Sequence, residues 1–390
     1  MHDVIIVFEI MTTGNINKIQ SGMSLYDLTP SELESFFVSI GEKNYRAKQV
    51  LDFLYRHPAK TFDEITTLPV ELREKLGKIS RLAPIRLRLK VESSDGAVKH
   101  AYEVESLAGK SGFLESVWMP SEYVDMDSVE ENRNVKQIDD ENEHRHAGRN
   151  TLCISSQLGC SAGCAFCASG AMGLKGQLST GEIVYQVIDC IELYEKLPDT
   201  VLFMGMGEPM HNFDSVCAAV EILTHKDGPA MSPRRIVVSS AGELERLGAF
   251  HKRFPRVRLA ISLNAATDAV RSRLMPVNDR YGIKAIESFI KSIDLARGEK
   301  VTLEYVVIKG LTDVPSQINA LETFLVTLGN RVTVNLIPYN EVENKKFGTP
   351  NRERVYDIQR KLRQLGVNTF IRRNRGTSAS AACGQLSGKL

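Results

Sequence analysis

Cys160, Cys164 and Cys167 fall within eight positions, in the stretch "GCSAGCAFC" at residues 159–167. Thiols at that spacing can hold a metal. Structural zinc is closed by four ligands, and no histidine stands near enough in sequence to complete the set. Cys153 would complete it only if the strand end doubled back. Three thiolates suit a 4Fe-4S cluster whose fourth iron is left open to a small molecule. Disulfide partners and small core residues that happen to cluster are the remaining readings. The chain has seven cysteines, an odd number, and its start, "MHDVIIVFEIM", reads as no export signal. The expected compartment is therefore the cytoplasm, where thiols stay reduced. Met11 or Met23 would serve equally well as a start.

The elements around these cysteines must place them. The chain has 390 residues, 43% of them hydrophobic and 25% charged, enough for one large domain and a smaller one. No apolar run approaches the roughly 20 residues of a membrane span. Residues 121–150 hold nine acidic and four basic residues, so the rest of the chain carries +6 against a total of +1. That mildly basic remainder is compatible with nucleic acid. The acidic stretch has few large apolar residues and reads as a solvated, disordered insertion over 121–149.

Residues 24–80 read as helices. Thr29, Pro30 and Glu32 form a capping-box pattern at the start of one of them. "IRLRLKVES" alternates as a half-buried strand does, Asp95-Gly96 marks a turn between strands, and "SGFLESVWMP" closes a small α+β module over 24–120, preceded by an extension, 1–23. From residue 150 strands are expected at 152–156, 201–204, 235–239, 257–262, 302–308, 332–337 and 368–373. Helices are expected near 180–196, 213–226, 242–253, 283–298, 314–328 and 351–365. Repeated βα units imply a parallel sheet with right-handed crossovers. Six units make a partial, open barrel over 150–373, followed by a C-terminal segment, 374–390. The fold class is α/β: a partial (β/α)6 barrel with a small N-terminal α+β domain.

The cysteine loop follows the first barrel strand, at the end where parallel α/β proteins place their sites. Other cofactor-binding residues are expected there: Gly207 and Glu208 in "FMGMGEP", Ser239 at the third strand, Ser262, Leu263 and Asn264 at the fourth, and Asn340 after "LIPY" at the sixth. Together they could surround one polar cofactor, with the glycines letting backbone approach it and Glu208 accepting a hydrogen bond from an amine or ribose hydroxyl. Cys190 and Cys217 lie on apolar helical faces and read as core thiols.

The C-x3-C-x2-C spacing, with Phe166 before the last cysteine, matches the signature of the radical S-adenosylmethionine superfamily. "LCISSQLGCSAGCAFCASG", "FMGMGEP", "SPRRIVVSS", "RLMPVNDRYG", "LIPYN" and "AACGQL", taken in order, resemble the radical S-adenosylmethionine RNA adenine methyltransferases, over residues 24–120 and 150–390. The resemblance implies a 4Fe-4S cluster on Cys160, Cys164 and Cys167 and two molecules of S-adenosylmethionine per turnover. It implies that Cys383 first receives a methyl group and that the methyl carbon, made a radical, joins the adenine ring. Glu115 in "LESVWMP" would then accept the ring proton, and Cys153 would displace Cys383 as a transient disulfide. The implied reaction is methylation of an adenosine at C2 in 23S rRNA, with tRNA as a further substrate. C8 methylation of the antibiotic-resistance type is the near alternative, and a non-catalytic iron–sulfur RNA-binding protein the distant one.

The implied partners are RNA and a reducing donor such as flavodoxin or ferredoxin, with no membrane; the chain is expected to be a monomer. RNA phosphates are expected on Arg81, Arg86, Arg88 and Lys90, on Lys345 and Lys346, and on Arg372, Arg373 and Arg375. The sequence departs from the family at Asn264, where His is usual, in "RGTSASAAC", which lacks the usual acidic residue, and in the acidic insertion.

Overall fold

The computed structural model describes residues 23–105, 111–121, 149–372 and 375–388. The expected extension 1–23 (but for Met23), the interior of the insertion 121–149, and Arg373 lie outside the described residues.

Three helices come first: α1 (Pro30–Ser39), α2 (Tyr45–Tyr55) and α3 (Val70–Ile79). The Thr29 amide donates to the Glu32 carboxylate at 2.9 Å, and the Glu32 amide to the Thr29 hydroxyl at 3.4 Å. That reciprocal pair satisfies two of the donors a helix start leaves free. Leu33, Phe36 and Phe37 of α1 share one core with Val50, Leu51 and Leu54 of α2 and with the barrel. The turn before α1 docks directly on the barrel, where Asp27 Oδ1 accepts the Gly181 amide at 2.7 Å.

Ten strands make the main sheet. They are β1 (Arg86–Glu92), β2 (Val98–Glu105), β3 (Ser111–Met119), β4 (Thr151–Ile154), β5 (Thr200–Phe203), β6 (Ile236–Ser240), β7 (Arg258–Ser262), β8 (Val301–Val307), β9 (Val332–Pro338) and β10 (Thr369–Ile371). Their spatial order is β10-β9-β8-β7-β6-β5-β4-β3-β2-β1, so the sheet is open. Strands β4 to β10 run parallel. The helices between them are α4 (Thr180–Tyr194), α5 (Phe213–Thr224), α6 (Leu244–Arg253), α7 (Ile283–Ser292), α8 (Pro315–Leu328) and α9 (Arg352–Gln364). This is the partial barrel of six units. Among the described residues no helix is long and apolar enough to cross a membrane.

Two elements differ from expectation. Strands β1 to β3, read as part of a separate N-terminal module, form an antiparallel meander that continues the barrel sheet, with β3 paired to β4. The first strand of an open barrel has a bare edge, and pairing covers it. Trp118 of β3 stacks on Tyr194 of α4 with ring centres 4.2 Å apart, fastening the added strands to the barrel. Strand β1 is left at the outer edge and its residues are exposed or half-buried. The second difference is α7, which stops at Ser292 rather than near 298. The Arg331 guanidinium donates to the carbonyls of Ile290, at 2.8 Å, and Ile293, and the chain turns extended at Ile293. A cation on the last carbonyls satisfies a helix end and favours stopping there.

Candidate active site

The cysteine loop leaves β4 through a short hairpin, Gln157–Gly159 against Leu174–Gln177. Gly159 has φ +73°, and a Cβ there would lie 1.9 Å from the Gly173 carbonyl oxygen; only glycine fits this turn. The loop is pinned by the Cys160 amide donating to Gly173 (3.1 Å) and the Ala165 amide to Leu274 (2.8 Å). Cys160 is buried, Cys164 and Cys167 are half-buried, and all seven cysteines are free thiols. Burial pushes the Cys160 thiol up to about 12. Burial, then the neighbouring thiols, pushes Cys164 well above its ordinary value. Cys167 is raised as well, again chiefly by burial.

Cys153 and Cys383 come together elsewhere. Cys153 lies on β4 opposite Val117 of β3 and Leu202 of β5. Burial and then the Cys383 thiol push it up to about 12. Both cysteines line a cavity of about 90 Å³ with Cys167, Val117, Met119, Met204 and Arg372. Ala381, Ala382, Gly384 and Leu386 of the C-terminal segment line it too. That segment is fastened at several points. Gly376 donates its amide to Asp95 (2.7 Å) and Ser378 bonds Ser93 (2.7 Å), both on the β1–β2 turn. The Cys383 carbonyl accepts from Asn340 Nδ2 (3.1 Å), the Gly384 carbonyl from the Ala168 amide (2.8 Å), and the Leu386 carbonyl from the Ser169 hydroxyl (2.6 Å). Asp95 supplies a carboxylate where "RGTSASAAC" has none of its own.

Glu115 is fully buried on β3. Its Oε2 accepts the amides of Ser387 (2.7 Å) and Gly388 (3.0 Å), and its Oε1 lies 3.0 Å from the Lys99 ammonium. Residues two apart on a strand share a face, so Glu115 stands on the face that Val117 and Met119 turn to the cavity.

The strand-end residues divide. Asn340 Oδ1 is buried without a partner, an acceptor left free beside the thiols. Ser239 and Ser262 are half-buried at their strand ends. Gly205 and Gly207 are both required by the protein's own packing. A Cβ on Gly205 would lie 2.7 Å from the Ile154 carbonyl oxygen, and one on Gly207 (φ +103°) 2.7 Å from Gln157. Glu208 is buried, its two oxygens accepting the Met210 (3.1 Å) and Ala241 (2.7 Å) amides. Asn264 adopts φ +57°, a conformation asparagine tolerates well, and its amide bonds Val306 N (3.1 Å) and Met275 Sδ (3.3 Å). Leu263 is a core residue whose carbonyl accepts from Arg271 Nε (3.0 Å).

Arg372 departs from the expectation of an RNA phosphate contact: it lines the cavity, its Nη1 3.3 Å from Met204 Sδ and 4.0 Å from Glu304 Oε2. Its guanidinium is held above its ordinary value, by Cys383 first and then by Glu304 against the effect of burial. Arg81, Arg86, Arg88 and Lys90 are exposed, as a phosphate-binding face requires, and Arg88 pairs with Glu103. Lys99, Arg271 and the Ser387–Gly388 amides were missed. Arg271 had one signal, its place just before the recognisable "RLMPVNDRYG".

Three thiols, one buried and two half-buried, that repel one another as anions fit a positively charged iron–sulfur core, and the free Asn340 Oδ1 fits a polar molecule. Among the described residues no three His, Cys, Asp or Glu side chains are set to hold a single metal ion; a four-iron cluster spreads its ligands more widely. The 4Fe-4S cluster and S-adenosylmethionine that the resemblance implies fit this set of residues.

Comparison with known proteins agrees with this chemistry. Residues 23–82 match the family described as the ribosomal RNA large subunit methyltransferase N-terminal domain, and residues 154–318 match the radical SAM superfamily. The dual-specificity RNA methyltransferase RlmN of Pelobacter propionicus is 38% identical, over 94% of this chain and 96% of its own. That of Geobacter sulfurreducens is also 38% identical, over 93% and 91%. The crystal structure of a radical SAM methyltransferase from Sphaerobacter thermophilus superposes with a TM-score of 0.80 at 34% identity, covering 94% of this chain and 100% of that one. With the fold, the cysteine loop and relatives matched along nearly its whole length, the chain belongs to the RlmN family of radical S-adenosylmethionine RNA methyltransferases.

Proposed function

We propose that the chain methylates C2 of an adenosine in 23S rRNA and of an adenosine in tRNA, using two molecules of S-adenosylmethionine per turnover. The observation that carries the reading is that the Cys153 and Cys383 thiols line one cavity with Cys167. Cys160, Cys164 and Cys167 hold the cluster. When bound, the cluster and its S-adenosylmethionine supply a one-electron cleavage that yields methionine and a 5′-deoxyadenosyl radical. Asn340, with Ser239, Ser262, Leu263, Asn264, Gly207 and Glu208 at the neighbouring strand ends, frames that cofactor. Cys383 takes the methyl group of a first S-adenosylmethionine on its sulfur. The S-methyl group then gives up a hydrogen atom to that radical, and its carbon bonds to C2 of the flipped-out adenine, whose unpaired electron would pass back to the bound cluster. Glu115 accepts the C2 proton. Cys153 attacks the Cys383 sulfur as a thiolate, the disulfide forms as the carbon–sulfur bond breaks, and a proton completes the methyl group on the departing base.

The C-terminal segment walls the cavity and leaves about 90 Å³ in it, so the adenine enters as that segment shifts. The basic faces of residues 24–120 and Lys345–Lys346 bind RNA backbone, and residues 374–390 act as the methyl-carrying segment. A small reducing protein, flavodoxin or ferredoxin, supplies the electron to a cytoplasmic monomer.

Two variants test the relay. Cys383→Ala should methylate no RNA and form no adduct. Cys153→Ala should let the base bond to Cys383 and then stall, giving a nuclease-sensitive mass shift of the protein. Normal turnover by Cys153→Ala, or identical behaviour of the two variants, would sink it. Nucleoside mass spectrometry with 2-methyladenosine and 8-methyladenosine standards decides the ring position.

A further inference from the structure

Lys99 sits in the middle of β2, almost fully buried, on the sheet face that holds the reacting groups. The register makes the row explicit: Lys99 pairs with Val117 of β3, and Val117 pairs with Cys153 of β4. Residues directly opposite in a sheet share a face, so Lys99, Val117 and Cys153 point the same way, with Glu115 two residues along β3. The Lys99 Nζ lies 3.0 Å from Glu115 Oε1, the two side chains 11% and 0% exposed. That oxygen has no hydrogen bond of good geometry; the ammonium acts on it as a charge.

The two oxygens of Glu115 are held by different kinds of partner. Oε2 accepts the amides of Ser387 and Gly388. These belong to the segment that carries Cys383 and must shift for a base to enter. Oε1 is held from a strand flanked on both sides, which does not shift. When the Ser387 and Gly388 amides leave Oε2, a carboxylate with no other compensation would be a lone buried charge. Such a group swings towards water, out of place to accept the ring proton.

We infer that Lys99 is a positioning residue for Glu115: it fixes Oε1, so that Oε2 stays in place to take the C2 proton while the C-terminal segment is displaced. The inference rests on the reading of Glu115 as the proton acceptor. Lys99 touches neither RNA nor cofactor in this role, so RNA affinity should be unchanged by its loss.

The test uses the full chain with its cluster reconstituted and RNA deuterated at adenine C2. Glu115→Ala comes first: stalling as a covalent adduct is expected, and normal turnover would overturn the reading of Glu115 and this inference with it. Lys99→Met, similar in length but uncharged, should slow adduct resolution about ten- to a hundredfold, the range expected for a misplaced catalytic group. It should also raise the deuterium isotope effect on that step above the wild-type value. Lys99→Arg should restore most of the rate, and Glu115→Ala/Lys99→Met should be no slower than Glu115→Ala alone. If Lys99→Met unfolds at a lower temperature, Lys99→Gln is measured in the same way. A stalled Glu115→Ala together with an unchanged isotope effect in both neutral Lys99 variants would overturn the inference and leave the reading of Glu115 standing. So would losses at the two sites that simply multiply.

Discussion

Arg271 is the residue whose replacement should cost this fold most for a single polar side chain. It is fully buried and donates five hydrogen bonds. They go to the carbonyls of Leu263 (3.0 Å), Tyr281 (3.2 Å), Ala241 (2.7 Å) and Ser262 (3.1 Å) and to Asn278 Oδ1 (2.9 Å). Burial pushes its guanidinium down to about 10, so it stays charged at neutral pH and the bonds are charge-assisted. Arg271→Lys keeps the charge but offers three donors at one point in place of five spread over a fork. At least two buried acceptors are then orphaned, and at roughly 1.5 kcal/mol each the loss is about 3 kcal/mol or more. That is a large share of the roughly 5–15 kcal/mol that holds a domain folded. Guanidinium chloride unfolding of the full chain, followed by circular dichroism at constant slope, measures it. A Lys variant within about 0.5 kcal/mol of wild type, the usual range for an inconsequential surface change, would refute the argument.

Two further outcomes are expected. Replacing Cys160, Cys164 and Cys167 together with Ala should remove the cluster, about four irons per chain by iron analysis, and abolish S-adenosylmethionine cleavage; a triple variant that keeps the cluster's absorption would exclude these thiols as its ligands. On α4, burial raises the Glu182 carboxyl to about 7 from an ordinary 4.5 and the Asp189 carboxyl to about 6 from 3.8. The folded chain therefore holds protons that the unfolded chain has released, and the contribution of Glu182 to stability is greatest below pH 4.5 and is lost as pH rises to about 7. Glu182→Gln should match wild type near pH 4.5 and exceed it by about 2–3 kcal/mol at pH 8. A difference that stays flat with pH would show that Glu182 does not titrate in this way.

What was legible in the sequence followed from local chemistry. The capping box at Thr29 and the glycine turn at Asp95-Gly96 are decided by neighbours in the chain, and they stand where the residues put them. The six βα units were legible because parallel strands are buried on both faces and read as short apolar runs between amphipathic helices. What was hidden is set by contacts distant in sequence. Nothing local says that β3 will cover the bare edge of β4, so the meander looked like part of a separate module. Lys99 in "VKHAYEVE" carries no local mark of its role, because its partner Glu115 stands on the next strand. Arg372 sits in a basic run, and only the path of the chain after β10 turns it into the cavity. Gly205 and Gly207 had the composition of a ligand-binding loop, but the atoms they make room for belong to Ile154 and Gln157.

The meander also changes what the N-terminal part of the chain is for. Its β1–β2 turn anchors the C-terminal segment through Asp95 and Ser93, its β3 carries Glu115, and its β2 carries Lys99. The barrel supplies the other anchors: Asn340 after β9, and Ala168 and Ser169 after the cysteine loop. Cys383 is thus placed by two halves of the sheet that meet at the β3–β4 pairing, and Cys153 stands on that seam, opposite Val117. A segment held by several separate weak bonds can be displaced by an incoming base and return to the same place, because no single bond fixes it and each bond lost is small. That reversibility is what a residue must have if it is to take a methyl group in one position and meet an RNA base in another. Under the proposed mechanism the seam between meander and barrel, paired along β3 and β4, is the frame against which the C-terminal segment would move.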